Sequence, residues 1–140
     1  LTELSPETHS KLRSVFPTWD IPVNPFDMGV SAQFYNAVDV YGVLLNALAD
    51  DPNVDCLAIQ TGGLFLAASE RLVKMFSDVV KKGKPVVIWT IDPVQGREMT
   101  QQLESKRIPV YPSAERAIKA LSALYRYYSR QEIISKVSIP

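Results

Sequence analysis

The spacing of apolar positions changes period several times along the chain, and each change marks an element. From Val54 to Gln60 the residues Val-Asp-Cys-Leu-Ala-Ile-Gln form a run of strand length that ends at Thr61 and the pair Gly62-Gly63. Beyond the glycines, Leu72, Met75, Phe76 and Val79 recur at helical spacing, and Lys81, Lys82 and Gly83 close the helix. This buried strand, diglycine turn and helix are the centre of the chain. Upstream, Ser5-Pro6-Glu7-Thr8 combines an N-cap residue, a proline at the first helical position and an acid in the first turn, predicting a helix over Pro6–Val15 with Leu12, Val15 and Phe16 as its apolar face. Prolines 17, 22 and 25 keep the next stretch extended until a short first strand, Val23–Met28, where Asp27 and Gly29 mark the turn into a helix over Ala32–Asp50. That helix carries Phe34, Val38, Tyr41, Leu45 and Leu48 on one stripe and ends at Asp50-Asp51-Pro52-Asn53.

Downstream, Lys84-Pro85 opens a third strand, Val86–Ile91, whose continuous β-branched residues predict burial on both faces. A helix over Arg97–Lys106 turns Met99 and Leu103 inward, and a short strand follows at Ile108–Tyr111. Pro112-Ser113 caps a last long helix with Ala114, Ala117, Ile118, Leu121, Leu124, Tyr125 and Tyr128 as its inner face. Residues Ser129–Pro140 read as a strand, a frayed extension or a linker. The alternation of strand and helix predicts a flavodoxin-like, three-layer α/β fold, with a mainly parallel sheet of four or five strands and helices on both faces. In such a sheet ligands bind beyond the carboxyl ends of the strands. The candidate turns are therefore Asp27–Val30, Thr61–Phe65, Asp92–Gly96 and Tyr111–Ser113.

Of these, the diglycine turn has the clearest physical capacity. Without Cβ atoms a ligand can approach backbone N–H groups at a helix start, where unpaired donors and the macrodipole favour an anion. Two glycines are equally what a tight turn without a ligand needs, and the stretch is neither a G-x-G-x-x-G nor a P-loop.

Composition narrows the function classes. The chain has 140 residues, 46% of them hydrophobic, enough for one compact core. Fifteen basic and fifteen acidic residues cancel, giving no electrostatic footprint for nucleic acid. The single Cys56, set in the apolar run, is expected to pack, and it excludes an internal disulfide or a cysteine cage. A reducing cytoplasmic setting is expected, with no membrane span and no signal peptide. A start at Leu rather than Met leaves two expectations open, processing of the chain or a piece cut from a longer protein.

Several chemistries fail for want of residues. A phosphoacceptor receiver site needs an acidic cluster on Mg²⁺ and a late lysine; Asp27 and Asp92 could supply carboxylates, but the first strand lacks an acidic pair and Pro109–Pro112 offers no lysine. A flavin phosphate loop would want more hydroxyls than Met28-Gly29-Val30-Ser31 provides. Hydrolase chemistry has no nucleophile elbow, and the only histidine, His9, lies on the first helix beside Thr8 and Ser10 and reads as a surface residue. No metal-ligand set can be assembled around it.

Five passages together resemble the second flavodoxin-like ligase module of the NDP-forming acyl-CoA synthetases, the superfamily that includes succinyl-CoA ligase. Leu4-Ser5-Pro6-Glu7-Thr8 with Lys11-Leu12-Arg13 looks like the helix by which the preceding module hands over to this one. Asn24-Pro25-Phe26-Asp27-Met28-Gly29 is similar to the family's Asn-Pro-Val-Asp-Leu motif, Asp51–Leu57 to the lead into its second strand, and Lys84-Pro85-Val86-Val87 to its third. Ile108–Ala117 is similar to its Gly-Ile-Pro-Val-Tyr passage. The resemblance implies a lead-in helix over 1–16, a ligase module over 17–128 and a tail or linker over 129–140.

It also implies part of a reaction: acyl-CoA, phosphate and a nucleoside diphosphate exchange with free acid, CoA and the triphosphate through a phosphorylated histidine. By resemblance, Thr61, Gly62, Gly63, Leu64 and Phe65 form the phosphate- or acyl-binding turn facing that histidine, with Asn24, Asp27, Gly29, Asp92 and Ser113 as supporting loop residues. A mobile dianion needs fixed donors without counter-ions that would hold it too tightly. The phosphorylated histidine belongs to the preceding module, and His9 is not in its glycine-flanked context. The implied partners are a CoA-binding, phosphohistidine-bearing module and an ATP-grasp module, with a homodimer left open; CoA, ATP/ADP and Mg²⁺ belong to the complete enzyme. No catalytic residue and no metal site is expected in this chain, which alone should be inactive. Leu64–Ala68 lacks the basic residue of the succinate-using members, which leans towards a more apolar acid. The other readings are a regulatory or scaffolding module of a multidomain acyltransferase-like protein and a free-standing small-ligand binder.

Overall fold

In a computed structural model, which describes residues 1–20, 22–62, 69–92, 94 and 96–137, the elements run α1 (Pro6–Leu12), α2 (Met28–Phe34), α3 (Ala37–Asp50), β1 (Leu57–Thr61), α4 (Ser69–Lys81), β2 (Val86–Thr90), α5 (Arg97–Ser105), β3 (Val110–Tyr111) and α6 (Ala114–Val137). The strands form a parallel sheet in the order β1-β2-β3, with Leu57 opposite Val86, Thr61 opposite Thr90 and Ile88 opposite Val110. α4 and α5 pack on one side, α3 leans on α4, and α6 touches all three strands from the other side. The result is a mixed α/β fold consistent with a flavodoxin-like architecture, with three strands among the described residues rather than the four or five expected. Central β2 buries Val86, Val87 and Ile88, as its β-branched run predicts.

Caps decide where the helices start. The Ser5 hydroxyl accepts from the Thr8 N–H at 3.2 Å, and Asp27 accepts from the Gly29 N–H at 2.9 Å. Asn36 accepts from the Val38 and Asp39 N–H groups at 3.0 and 3.3 Å, and so begins a new helix inside the stretch read as continuous from Ala32 to Asp50. The break swings Phe34 off the inner stripe: it is 60% exposed and stacks edge-on with exposed Trp19 at 5.9 Å between ring centroids. Tyr41 and Leu45 of the expected stripe are buried, and Val40 and Leu44 join them.

Other sequence expectations are also corrected. Val23–Met28 is not a strand among the described residues; Asp27 instead caps α2, and Val23 is exposed. β1, expected to be buried, is an edge strand among the described residues, with Ala58 and Gln60 exposed, and Cys56 is exposed just before it. Thr8, expected beside a surface histidine, is buried against the Ala47 carbonyl, and His9 is half-buried. The expected inner face of α6 reduces to Ala117, with Leu121 half-buried, while Ala114, Ile118, Leu124, Tyr125 and Tyr128 are exposed. α6 runs on to Val137, and residues 138–140 lie outside the described residues. No helix of the described residues is long and apolar enough to cross a membrane.

One buried anchor ties the lead-in helix to the α/β unit. The Asp51 carboxylate, 1% exposed, accepts from the Ser5 N–H at 2.9 Å and from the Asn53 N–H at 2.8 Å. The Lys84 ammonium donates to the Leu48 carbonyl at 3.0 Å and to the Asp51 carbonyl, satisfying the end of α3. Burial by itself would raise the Asp51 pKa, but hydrogen bonds from the Thr8 and Ser5 hydroxyls and from the Asn53 and Ser5 amides outweigh it and lower the pKa to about 2.

Candidate functional site

The carboxyl ends of the parallel strands bring Thr61, Thr90 and Tyr111 to one edge of the sheet. At that edge the Ile91 N–H donates to the Thr61 carbonyl at 3.1 Å, and the Thr61 hydroxyl donates to the Trp89 carbonyl at 3.4 Å. Thr61 is thereby buried and spoken for, holding the end of β1 against β2. Gly62 follows, half-buried, with Ile91 closing over it. Gly63, Leu64 and Phe65 lie outside the described residues.

The turn after β2 is built by Asp92 and Thr90. The Asp92 N–H donates to the Thr90 hydroxyl at 3.2 Å, Asp92 Oδ1 accepts from the Val94 N–H at 3.1 Å, and the Asp92 carbonyl accepts from the Gly96 N–H at 3.0 Å. Asp92 is thus a turn former beside Thr61 and Gly62, lining with them a small cavity of about 10 Å³ that also touches Thr90 and Gly96. That is space for about one water. A Cβ on Gly96 would stand 2.9 Å from the Asp92 carbonyl oxygen and 3.2 Å from the Thr90 hydroxyl, both parts of the same turn. Gly96→Ala is therefore expected to cost about 1–3 kcal/mol by overpacking and to shift the Thr90 and Asp92 amide resonances. A neutral change with unmoved resonances in denaturation and two-dimensional NMR would show that the turn is not this tight.

A second, open cleft of about 960 Å³ runs along β1. It brings Asn24, Asp27 and Gly29 to the same opening as Thr61 and Gly62, although no strand carries them there. Asn24 donates to the Thr2 carbonyl at 3.1 Å, so it too holds chain rather than reaching into the cleft as a free donor. Ser113 stands apart from both cavities, opening α6 by accepting from the Arg116 N–H at 3.4 Å. Burial, with the charge of Asp27 adding, pushes the Tyr41 phenol at the cleft wall well above its ordinary pKa. Among the described residues no lysine or arginine side chain lines the cleft, and Asp27 and Asp55 do. An anion at this edge would have to be held by backbone donors, because the side chains nearby are neutral or acidic.

Among the described residues, no group of three or more His, Cys, Asp and Glu side chains could hold a metal ion. The residue that sequence reasoning missed is structural: Asp51 was legible as a helix stop and as the start of a strand lead-in, not as a buried anchor. Its signal was the paired Asp51-Pro52 and Lys84-Pro85, which the fold brings together.

A stretch of 59 residues, 42% of this chain, is 37% identical to the alpha subunit of the ADP-forming acetate–CoA ligase I of Pyrococcus furiosus. Part of the chain is therefore similar to part of a CoA ligase subunit. The matched stretch is 13% of that protein, so most of the relative lies outside the comparison. No family model matches the chain, and no solved structure matches it.

Proposed function

We propose that this chain is a module of an NDP-forming acid–CoA ligase, in which the turn Thr61–Phe65 presents backbone amides to a phosphoryl or acyl carboxylate group at an interface between modules. The observation that carries this reading is the 37% identity to a ligase subunit over 59 residues. The position of Thr61 and Gly62 at the carboxyl edge of a parallel sheet supports it, since that is where such sheets bind ligands. With no lysine or arginine side chain on the cleft among the described residues, backbone dipoles would be the main hold on the group. That suits a ligand which must arrive and leave within one turnover.

In this reading residues 1–16 lead in from the preceding module, 17–128 form the ligase module and 129–140 lead to the next. The transferred phosphoryl group rides on a histidine of another module, and the isolated chain is inactive. CoA, ATP or ADP and Mg²⁺ bind to other modules of the same cytoplasmic protein or complex. The relative's name gives acetate as its acid, a monocarboxylate. This agrees with the absence of a basic residue in Leu64–Ala68 and argues against a dicarboxylic substrate.

Titration of the chain with inorganic phosphate, followed by amide chemical shifts, tests the site. Shifts clustered on residues 61–66 are expected, and removed by Gly62→Leu. Saturable shifts elsewhere, with residues 61–66 unmoved, would sink the assignment and leave a scaffolding role in its place.

A further inference from the structure

β1 has one satisfied side and one open side. The ladder to β2 begins with the Leu57 N–H donating to the Pro85 carbonyl at 2.9 Å and ends with the Ile91 N–H donating to the Thr61 carbonyl at 3.1 Å. In a parallel ladder alternate residues serve alternate sides. Leu57, Ile59 and Thr61 therefore pair with β2, and the N–H and C=O groups of Ala58 and Gln60 point away from it. Among the described residues no strand pairs with that side. An edge of this kind is ordinarily shortened, charged or covered, because it is a template for another strand. Here Ala58 and Gln60 carry no charge, and the edge borders the large cleft.

The shape of the cleft matches what is missing. One wall is α3, with Tyr41, Leu44, Leu45 and Leu48, and the other is α6, with Ile118 and Leu121. These helices belong to the layers on opposite sides of the sheet, so the cleft continues the sheet plane beyond β1. Strand rise, strand spacing and layer separation give a covered strand about 160 Å³ per residue, so 960 Å³ accommodates about six residues. That is close to the five-residue length of β1. Both walls are apolar, as for a parallel strand buried on both faces. The charged side chains on the lining, Asp27 and Asp55, are acidic and disfavour an acidic occupant.

We propose that the open edge of β1 is a docking site for one extended polypeptide strand of about six residues, apolar on both faces, without acidic side chains, and supplied by polypeptide outside these 140 residues. A second copy of the chain fits poorly, because its own helices would overhang its own β1 and two facing edges would stand two strand widths apart. In the ligase relative, most of the protein lies outside the matched stretch, which leaves ample chain to supply such a strand. The proposal does not depend on the anion site at Thr61–Phe65.

The test is hydrogen exchange on the full 140-residue chain, with a lysine-flanked peptide Val-Val-Ile-Trp-Thr-Ile as probe, copying residues 86–91, which β1 already accepts on its other side. Without probe, the Ala58 and Gln60 amides should exchange at least tenfold faster than those of Ile59 and Thr61. Probe should slow Ala58 and Gln60 at least tenfold. Ala58→Pro, which removes a donor that β2 does not use, should abolish the probe effect while Ile59 and Thr61 stay protected. Should the proline variant fail to fold, Ile118→Asp on the opposite, half-exposed wall should weaken probe binding at least tenfold. Protection of Ala58 and Gln60 without probe would overturn the proposal, assigning the edge to the chain's own segment if independent of concentration and to a second copy if not. So would an unchanged exchange pattern at millimolar probe.

Discussion

Asp51→Ala is expected to destabilise the chain by about 2–4 kcal/mol, because it strips the buried acceptor from two part-buried amides and unties the lead-in helix from the end of α3. Against a typical total of about 5–15 kcal/mol the loss is large. Asp51→Asn, which keeps one oxygen acceptor but no charge, should lose less than alanine. The carboxylate also makes a prediction in pH. Its folded pKa, about 2, lies below the ordinary 3.8, so its contribution is fully present above pH 4 and disappears as pH falls from about 4 to about 2. The pH-dependent part should be about 1–2 kcal/mol after allowance for solvent screening. Urea midpoints measured at neutral pH and near pH 3 should therefore converge for wild type and Asp51→Asn. Parallel curves over that range would assign the anchoring to something other than the ionised carboxylate. Asp50 and Asp78 are also lowered, chiefly by hydrogen bonds from Lys82 and from Lys74, but they are exposed and their effect should fade with added salt.

Phe76→Ala should cost about 3–5 kcal/mol, the largest single core effect expected here. Phe76 has no exposed surface, and its helix α4 packs against α3, α5 and β2, so the vacated volume lies where three helices and the sheet meet and cannot easily collapse. Phe34→Ala is the matched control. Both residues fall on apolar stripes of the sequence, yet Phe34 is 60% exposed and should lose less than about 1 kcal/mol. Comparable losses for the two in guanidinium denaturation would mean that α2 and α3 form the continuous helix that the apolar pattern predicts, with Phe34 turned inward.

The contrast between these two phenylalanines shows how far pattern carries. Hydrophobic period and caps locate α1, α4, β2 and α5 and their buried residues, among them Leu12, Phe76, Ile88, Met99 and Leu103, because each of these elements meets its neighbours along one face. The Asn36 cap was equally present in the sequence, but an unbroken apolar stripe through Phe34 and Val38 masks it. For the candidate site, the glycines and the carboxyl edge of the sheet were legible as local chemistry and topology. Asp27 and Asp92 were legible as turn positions, but not that their carboxylates are engaged by the Gly29 and Val94 N–H groups, since a carboxylate that serves a ligand and one that serves its own backbone have the same sequence.

Local pattern was enough for the α/β class, the order of most elements, the placing of the diglycine pair at the end of a strand and the resemblance to an acid–CoA ligase module. These follow from local periodicity, turn residues and motif order, all of which are encoded within a few residues of where they act. Only tertiary contacts show that, among the described residues, β1 lies at an edge with one side open, Val23–Met28 is not one of the strands, α6 leaves most of its apolar face in solvent and Asp51 is a buried anchor. Each of these depends on which distant segment lies alongside. That information resides in pairings across the fold, where an apolar run reads the same whether or not a partner covers it.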